Sequence, residues 1–298
     1  MKAPMKSRCG RPVASRAAQM NSAKPAFTLV ELLVVIAIVA VLAATLLPAL
    51  ANGKYPSQVL NCASNYKQWS AMCNVYASDD SNGRYPSFLA PGAGGNPSDV
   101  SVSFVTNLMP YGMTVQMFFC PVRPVEVDYA NIWFRAKYRK GDIVTIGDLN
   151  QYFIGTDTYE VAGVAYVGRS LNGGYGKLLH EFWVPRLSTF SVAGPPVPGG
   201  YLFPAPNPGN PGQTPCAPSV CPGWPSKPGD KMTGYQPIVS DMAETVPGYT
   251  AASNLRSGAH FYNGVLDSIN VGFADGRVET HNTSQISWQY TSQATTFY

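Results

Sequence analysis

The feature that most constrains this chain is one uninterrupted apolar run. Phe27 to Leu47 reads FTLVELLVVIAIVAVLAATLL, 21 residues with a single charge. At about 1.5 Å rise per residue such a helix spans roughly 30 Å, the thickness of a bilayer's hydrocarbon core. A secretory signal peptide and a plain single-span anchor are the competing readings, but a signal peptide's apolar stretch is usually about 7–15 residues and ends at a small-residue cleavage site. The flank before the run carries Lys2, Lys6, Arg8, Arg11, Arg16 and Lys24 with no acid, so the positive-inside rule keeps residues 1–26 in the cytoplasm.

The charge balance changes once that flank is set aside. The whole chain has a formal charge of +4, but without the six leader cations 15 basic residues face 17 acidic ones. No basic stripe for nucleic acid remains. Charged residues make up only 13 %, against 28 glycines and 26 prolines, which suits a loop-rich exported domain better than a charge-rich cytosolic enzyme. The expected organisation is a basic leader over 1–26, a membrane-spanning helix half over 27–50 and an exported domain over 51–298.

Glu31 is the one charge inside the run. A carboxylate there costs on the order of 3 kcal/mol, and intramembrane charges are usually functional, with a nameable partner. A cut before Phe27 would create an α-amine one helical turn from Glu31, or present it to a neighbouring subunit, and that amine would neutralise the carboxylate.

Lys24-Pro25-Ala26-Phe27-Thr28-Leu29-Val30-Glu31-Leu32 resembles the type IV prepilin and pseudopilin cleavage and methylation motif. Counted from Phe27, Glu31 stands fifth and Pro48 twenty-second, as in that family. Ala26 stands where the family usually has Gly. The resemblance implies a prepilin peptidase that cuts between Ala26 and Phe27 and methylates the new amine. It also implies other pilin-like subunits as partners and the inner membrane as the location. The implied fold is α+β and pilin-like, with a long N-terminal helix packed on a small antiparallel sheet. A single-pass pseudopilin of a type IV pilus-like or type II secretion apparatus is the implied function; a stand-alone exported binding protein on a pilin anchor is the alternative.

Beyond the anchor the helical pattern is expected to break near Asn52, Gly53 and Pro56 and to resume from Ser57 to about Ala77. Cys62, Tyr66, Trp69, Cys73 and Tyr76 there follow alternating steps of four and three along one face. Val115–Phe119, Ile143–Ile146, Val161–Val167 and Pro237–Ser240 are strand candidates. Residues 191–230 hold 12 of the 26 prolines and no period, which predicts an irregular loop. Residues 269–281 read as a β-hairpin in which Asp275 and Gly276 both take positive φ. Ser257-Gly258-Ala259-His260, followed by Asn270 to Glu279, is similar to a pilin-like family whose C-terminal signature is a His, a spacer of nine residues and Asp-Gly. Here 14 residues separate His260 from Asp275, an insertion around Tyr262–Ser268.

No catalytic set is visible, so no enzyme activity and no cofactor are expected. A structural pair, a metal site and an acid/base pair are all open for His260 with Asp275. Cys9 lies in the leader, leaving Cys62, Cys73, Cys120, Cys216 and Cys221 in a disulfide-permissive setting. On one helix Cys62 and Cys73 lie about 16 Å apart, beyond the roughly 7 Å that a disulfide tolerates. Cys216 and Cys221 are the easiest pair, and Cys120 is expected to meet Cys62 or Cys73. No C-x-x-C pair of zinc-finger spacing exists, so no metal is expected. Asp79, Asp80, Asn82 and Gly83 place oxygen ligands in a tight turn, which reads better as a solvated turn than as a calcium loop.

Overall fold

In this computed structural model the described residues are 27–91, 95–154, 158–161, 164–167, 170–171, 175–188, 201–204, 223–231, 233–245, 249, 251–255, 258–291 and 295–298. The chain divides into two units, Met1–Ala51 and Asn52–Tyr298. The arrangement is α+β and pilin-like, an N-terminal apolar helix followed by antiparallel sheets and shorter helices.

Helix α1 runs over Leu29–Asp79. In the first unit its Leu29–Pro48 stretch is long and apolar enough to cross a membrane, and none of that stretch is buried. An exposed helix that is apolar all round suits lipid rather than a water-facing surface. Its start is fixed locally. The Thr28 hydroxyl accepts the Glu31 N–H at 3.2 Å, while a Glu31 carboxylate oxygen accepts both the Thr28 N–H and the Thr28 hydroxyl at 2.8 Å. This is a reciprocal capping box. The expected break near Asn52–Pro56 does not occur; the helix is continuous through Gly53 and Pro56. A proline removes only one hydrogen bond, and the helical pattern on both sides outweighs it.

In the second unit the stripe on α1 packs. Cys62, Tyr66, Trp69 and Cys73 are fully buried and Tyr76 partly so, whereas Leu60 and Val75 on other faces stay exposed. Four short helices follow: α2 (Phe104–Leu108), α3 (Val115–Phe118), α4 (Pro124–Tyr138) and α5 (Ile146–Ile154). Strands β1 (Asp99–Ser101), β4 (Ser170–Leu171) and β5 (Tyr175–Lys177) form one small sheet. Two hairpins are β2 (Thr158–Val161) with β3 (Val164–Val167) and β7 (Arg186–Ser188) with β8 (Tyr201–Phe203).

The central sheet contains β6 (His180–Phe182), β9 (Pro237–Asp241), β11 (His260–Tyr262), β12 (Val265–Phe273) and β13 (Val278–Asn282), all antiparallel. A last sheet joins β10 (Glu244–Thr245), β14 (Trp288–Thr291) and β15 (Thr295–Phe297). β12 is the spine: Ser268 pairs with both His260 and Asn282, so β11 and β13 take opposite edges, and β9 continues along the edge of β11. Its side chains alternate as a strand requires. Ile269, Val271 and Phe273 enter one core with Trp183, Trp224 and Phe297. Ser268, Asn270 and Gly272 take the other face. At Gly272 an added Cβ would lie 3.0 Å from the Tyr66 Cβ, so a glycine lets helix and sheet close. Ser70 then donates to the Phe273 carbonyl at 2.6 Å and Asn74 to the Ala274 carbonyl at 2.7 Å, tying α1 to the end of β12.

Several expectations change. Val115–Phe119 is not a strand; Val115–Phe118 is helical. Ile143–Ile146 is not a strand either. Thr145 and Asp148 form a reciprocal cap that starts α5 at Ile146, and this local cap overrides β-propensity. Val161–Val167 is split between two paired strands, with Val161 opposite Val164. Most of 191–230 lies outside the described residues; within it Tyr201–Phe203 is a strand, and the Trp224 ring lies 4.4 Å from Trp183, tilted by 32°. The 269–281 hairpin is present, but Asp275 is not in the left-handed region; Gly276 alone is, at φ 87°. Phe273 and Gly276 close a turn, and the loop spans 274–276, the three-residue form that needs positive φ only at its last position. The two-residue turn with both φ positive lies instead at Asn263 (50°) and Gly264 (78°), joining β11 to β12. The residues between His260 and Asp275 are thus this second hairpin.

Candidate functional site

In the first unit Phe27 is exposed at the foot of α1, and Glu31 is engaged with Thr28. Ala26 lies outside the described residues, as do Cys216 and Cys221.

In the second unit four segments distant in sequence meet in one buried cluster. α1 supplies Cys62 and Tyr66, the loop before α4 supplies Cys120 and Arg123, the end of β9 supplies Asp241, and β11 supplies His260; all six are at least nine-tenths buried. The Cys120 Sγ lies 3.5 Å from the Cys62 Sγ and 3.4 Å from His260 Nε2. His260 Nε2 is 3.0 Å from Asp241 Oδ2, and the Cys62 Sγ is 3.6 Å from Asp241 Oδ1. One donor atom from each of Cys62, Cys120, Asp241 and His260 lies within 4.8 Å of the others.

A surrounding layer holds the cluster. Asp241 Oδ2 accepts the Asn270 N–H at 2.7 Å, and Oδ1 accepts the Tyr66 hydroxyl at 2.9 Å. The Arg123 guanidinium stands 3.5 Å from Asp241 Oδ1, donates to the Leu179 carbonyl at 3.0 Å and pairs with Glu126 at 2.8 Å. His180 Nδ1 meets the Tyr66 hydroxyl at 2.9 Å, and Ser268 Oγ lies 3.4 Å from His260 Nδ1.

The electrostatics follow from this packing. Burial alone would favour a neutral His260, but the adjacent Asp241 carboxylate outweighs it and lifts the imidazole to about 10. Burial would likewise raise Asp241, yet His260, Arg123 and the Asn270 N–H hold it well below the usual carboxylate range. For Cys120, burial is overcome by the Cys62 thiol, His260 and Arg123, which bring it down to about 6. Cys62 is pushed well up, first by its hydrogen bond with Cys120 and then by burial. His180 falls to about 3 through burial and the Arg123 charge.

His260 therefore meets Asp241 rather than Asp275. It sits opposite Ser268, five residues before Phe273 at the turn end of β12. At about 3.3 Å per residue that is roughly 17 Å, too far for contact. Asp275 is exposed at the loop, where it accepts the Arg277 N–H at 2.9 Å. Of the two partners expected for Cys120, Cys62 is the one beside it. Their sulfurs are thiols rather than a disulfide, because a bonded pair would stand about 2.05 Å apart. Cys73 is buried on the same helix, away from the cluster. Asp80, in the turn after α1, accepts the N–H groups of Asn82 and Arg84 at 3.0 and 2.9 Å. Asp241 and Arg123 escaped the sequence reading. The usable signal was an acid directly after the apolar strand Pro237–Ser240, a position that buries a carboxylate and so calls for partners.

The family description "Prokaryotic N-terminal methylation motif" matches residues 21–47. No curated protein and no solved structure matches the chain. The chain thus carries a prepilin-type N-terminal methylation motif on a helix apolar enough to anchor it in a membrane, which supports a type IV pilin-like substrate of a prepilin peptidase.

Proposed function

We propose that the chain is a pilin-like subunit, of the pseudopilin type, in a type IV pilus-like or type II secretion apparatus. It is cut between Ala26 and Phe27, methylated on Phe27, held in the inner membrane by 27–50 and exposes 51–298 outside the cytoplasm. The observation that supports this most is the methylation motif placed directly on the Leu29–Pro48 span. The capping box fits the same reading, since Thr28 and Glu31 both lie after the cut and α1 keeps its start when the leader leaves. The role in this reading is assembly. The C-terminal signature residues His260, Asp275 and Gly276 are structural in this reading. N-terminal mass spectrometry of the membrane-extracted protein tests it. The expected product begins at N-methylated Phe27; a start at Met1, or beyond Ala44, overturns it.

The second reading, a stand-alone exported binding protein on a pilin anchor, draws on one feature. A cleft of about 890 Å³ is lined by Arg123, Glu126, Tyr129, Leu179, Phe261 and Leu266 among others, mostly apolar with one ion pair, as small-molecule sites are. Cross-linking in intact membranes separates the two. Linkage to other methylated subunits supports assembly, and a chain that stays monomeric supports the binding role.

A further inference from the structure

We propose that Cys62, Cys120, Asp241 and His260 bind one Zn²⁺ ion in a closed, four-ligand structural site. Two thiolates, an imidazole and a carboxylate are a zinc-type donor set, and structural zinc sites are four-coordinate and tetrahedral. Bonds of about 2.3 Å to sulfur and 2.0–2.2 Å to nitrogen and oxygen give tetrahedron edges of roughly 3.3–3.8 Å. The S–S edge is 3.5 Å and the Cys120–His260 edge 3.4 Å, and Asp241 approaches with both oxygens, Oδ1 3.6 Å from the Cys62 Sγ and Oδ2 3.0 Å from His260 Nε2. One Asp241 oxygen serves as the ligand; one donor atom from each of the four residues already lies within 4.8 Å of the others, so a small turn of the carboxylate and imidazole closes the set on a metal.

The outer layer fits as well. Ligating imidazoles usually have their other nitrogen engaged, and Ser268 Oγ is 3.4 Å from His260 Nδ1 while Nε2 faces the cluster. The Asp241 carboxylate is oriented by the Asn270 N–H and the Tyr66 hydroxyl. Zn²⁺ with two thiolates and one carboxylate carries a net single negative charge, and Arg123 faces it from 3.5 Å. An entry path exists: a cleft of about 430 Å³, lined by Asn61, Asn65, Gln116, Pro121 and Pro124, reaches Cys120.

A Cys62–Cys120 disulfide is the rival. It accounts for the two sulfurs alone, whereas a metal also accounts for the His260 nitrogen and the Asp241 carboxylate gathered within 4.8 Å of them. The spacing rule that excluded zinc from the sequence counted only neighbouring cysteines, and these two stand 58 residues apart.

The test uses the full chain, extracted from membranes in detergent without chelator, with metal content measured by plasma mass spectrometry and thiol state by intact mass. One zinc per chain is expected, with Cys62 and Cys120 reduced and not linked to each other. Cys120→Ser should lose the zinc, and Cys73→Ser, altering a buried thiol away from the cluster, should keep it. If Cys120→Ser does not fold, the wild-type metal content and thiol state decide alone. A metal-free chain overturns the proposal, whether it is lighter by two hydrogens with Cys62 linked to Cys120 or keeps both as thiols.

Discussion

The anchor stretch and the buried cluster are both places where charge meets apolar surroundings, and they solve the problem differently. Glu31 finds its partner three residues away, through Thr28, so its surroundings are a property of a short segment. Asp241 finds His260, Arg123, Tyr66 and Asn270, which three-dimensional folding must bring together. A locally partnered charge leaves its trace in a motif; a globally partnered one leaves almost none. The same contrast implies that changes at the cluster act on folding, whereas changes at the anchor act on what the folded protein assembles with.

The largest effect is expected at Asp241. Asp241→Ala leaves the His260 and Arg123 charges buried without their common partner, and breaking such a set typically costs about 3–5 kcal/mol. For a domain of this size that lowers Tm by about 10 °C. Thermal unfolding followed by circular dichroism checks it, and an unchanged Tm would dissolve the contrast drawn above. A smaller loss is expected for Gly276→Val. The φ of 87° strains any residue with a Cβ, but nothing lies within 4 Å of the added atom, so the cost is the backbone term of about 1–2 kcal/mol. Urea denaturation reads it, and Asp275→Ala, at a residue with ordinary φ, should cost less.

A pH effect of modest size should come from acids outside the cluster. Asp99 is raised to about 6 by burial against the opposing pull of Lys177, and Glu181 is pushed well up by burial and the Glu244 carboxylate. The folded state therefore holds protons that the unfolded state has released, and stability falls as pH rises from about 4 to about 6. Asp99→Asn should flatten the Tm-against-pH curve in that window; an unaltered curve would count against the burial argument. The smallest effect on stability is expected for Glu31→Gln. Glutamine at that position still serves a capping box, so helix start and membrane insertion should persist while the charge is lost. Co-purification with other subunits should then drop. Full assembly by this variant would show that the carboxylate neutralises no amine.

Legibility followed the same line between local and global. The anchor, the stripe from Cys62 to Cys73, strand Pro237–Ser240 and the C-terminal hairpin were readable because period and turn chemistry are local. The reading failed where two local signals competed. Thr145 and Asp148 outrank the β-branched run around them, and Asn263-Gly264, a stronger two-residue turn signal than Asp275-Gly276, stood inside what looked like an insertion. The partners of His260 were not readable: the resemblance to a His-spacer-Asp-Gly signature pointed to Asp275, whereas strand register placed His260 beside Ser268 with its ring 3.0 Å from Asp241 Oδ2.

That cluster also sets a timetable. Cys62 and Asp241 are 179 residues apart, and Cys120 and His260 are 140 apart. At roughly 5–20 residues per second of synthesis, Cys62 exists for about 10–40 s before Asp241 does. α1 is the early-made half of a joint whose other half arrives near the end of the chain. The cluster under the central sheet therefore closes late, and a chain shortened before His260 would present its cysteines to whatever else is there.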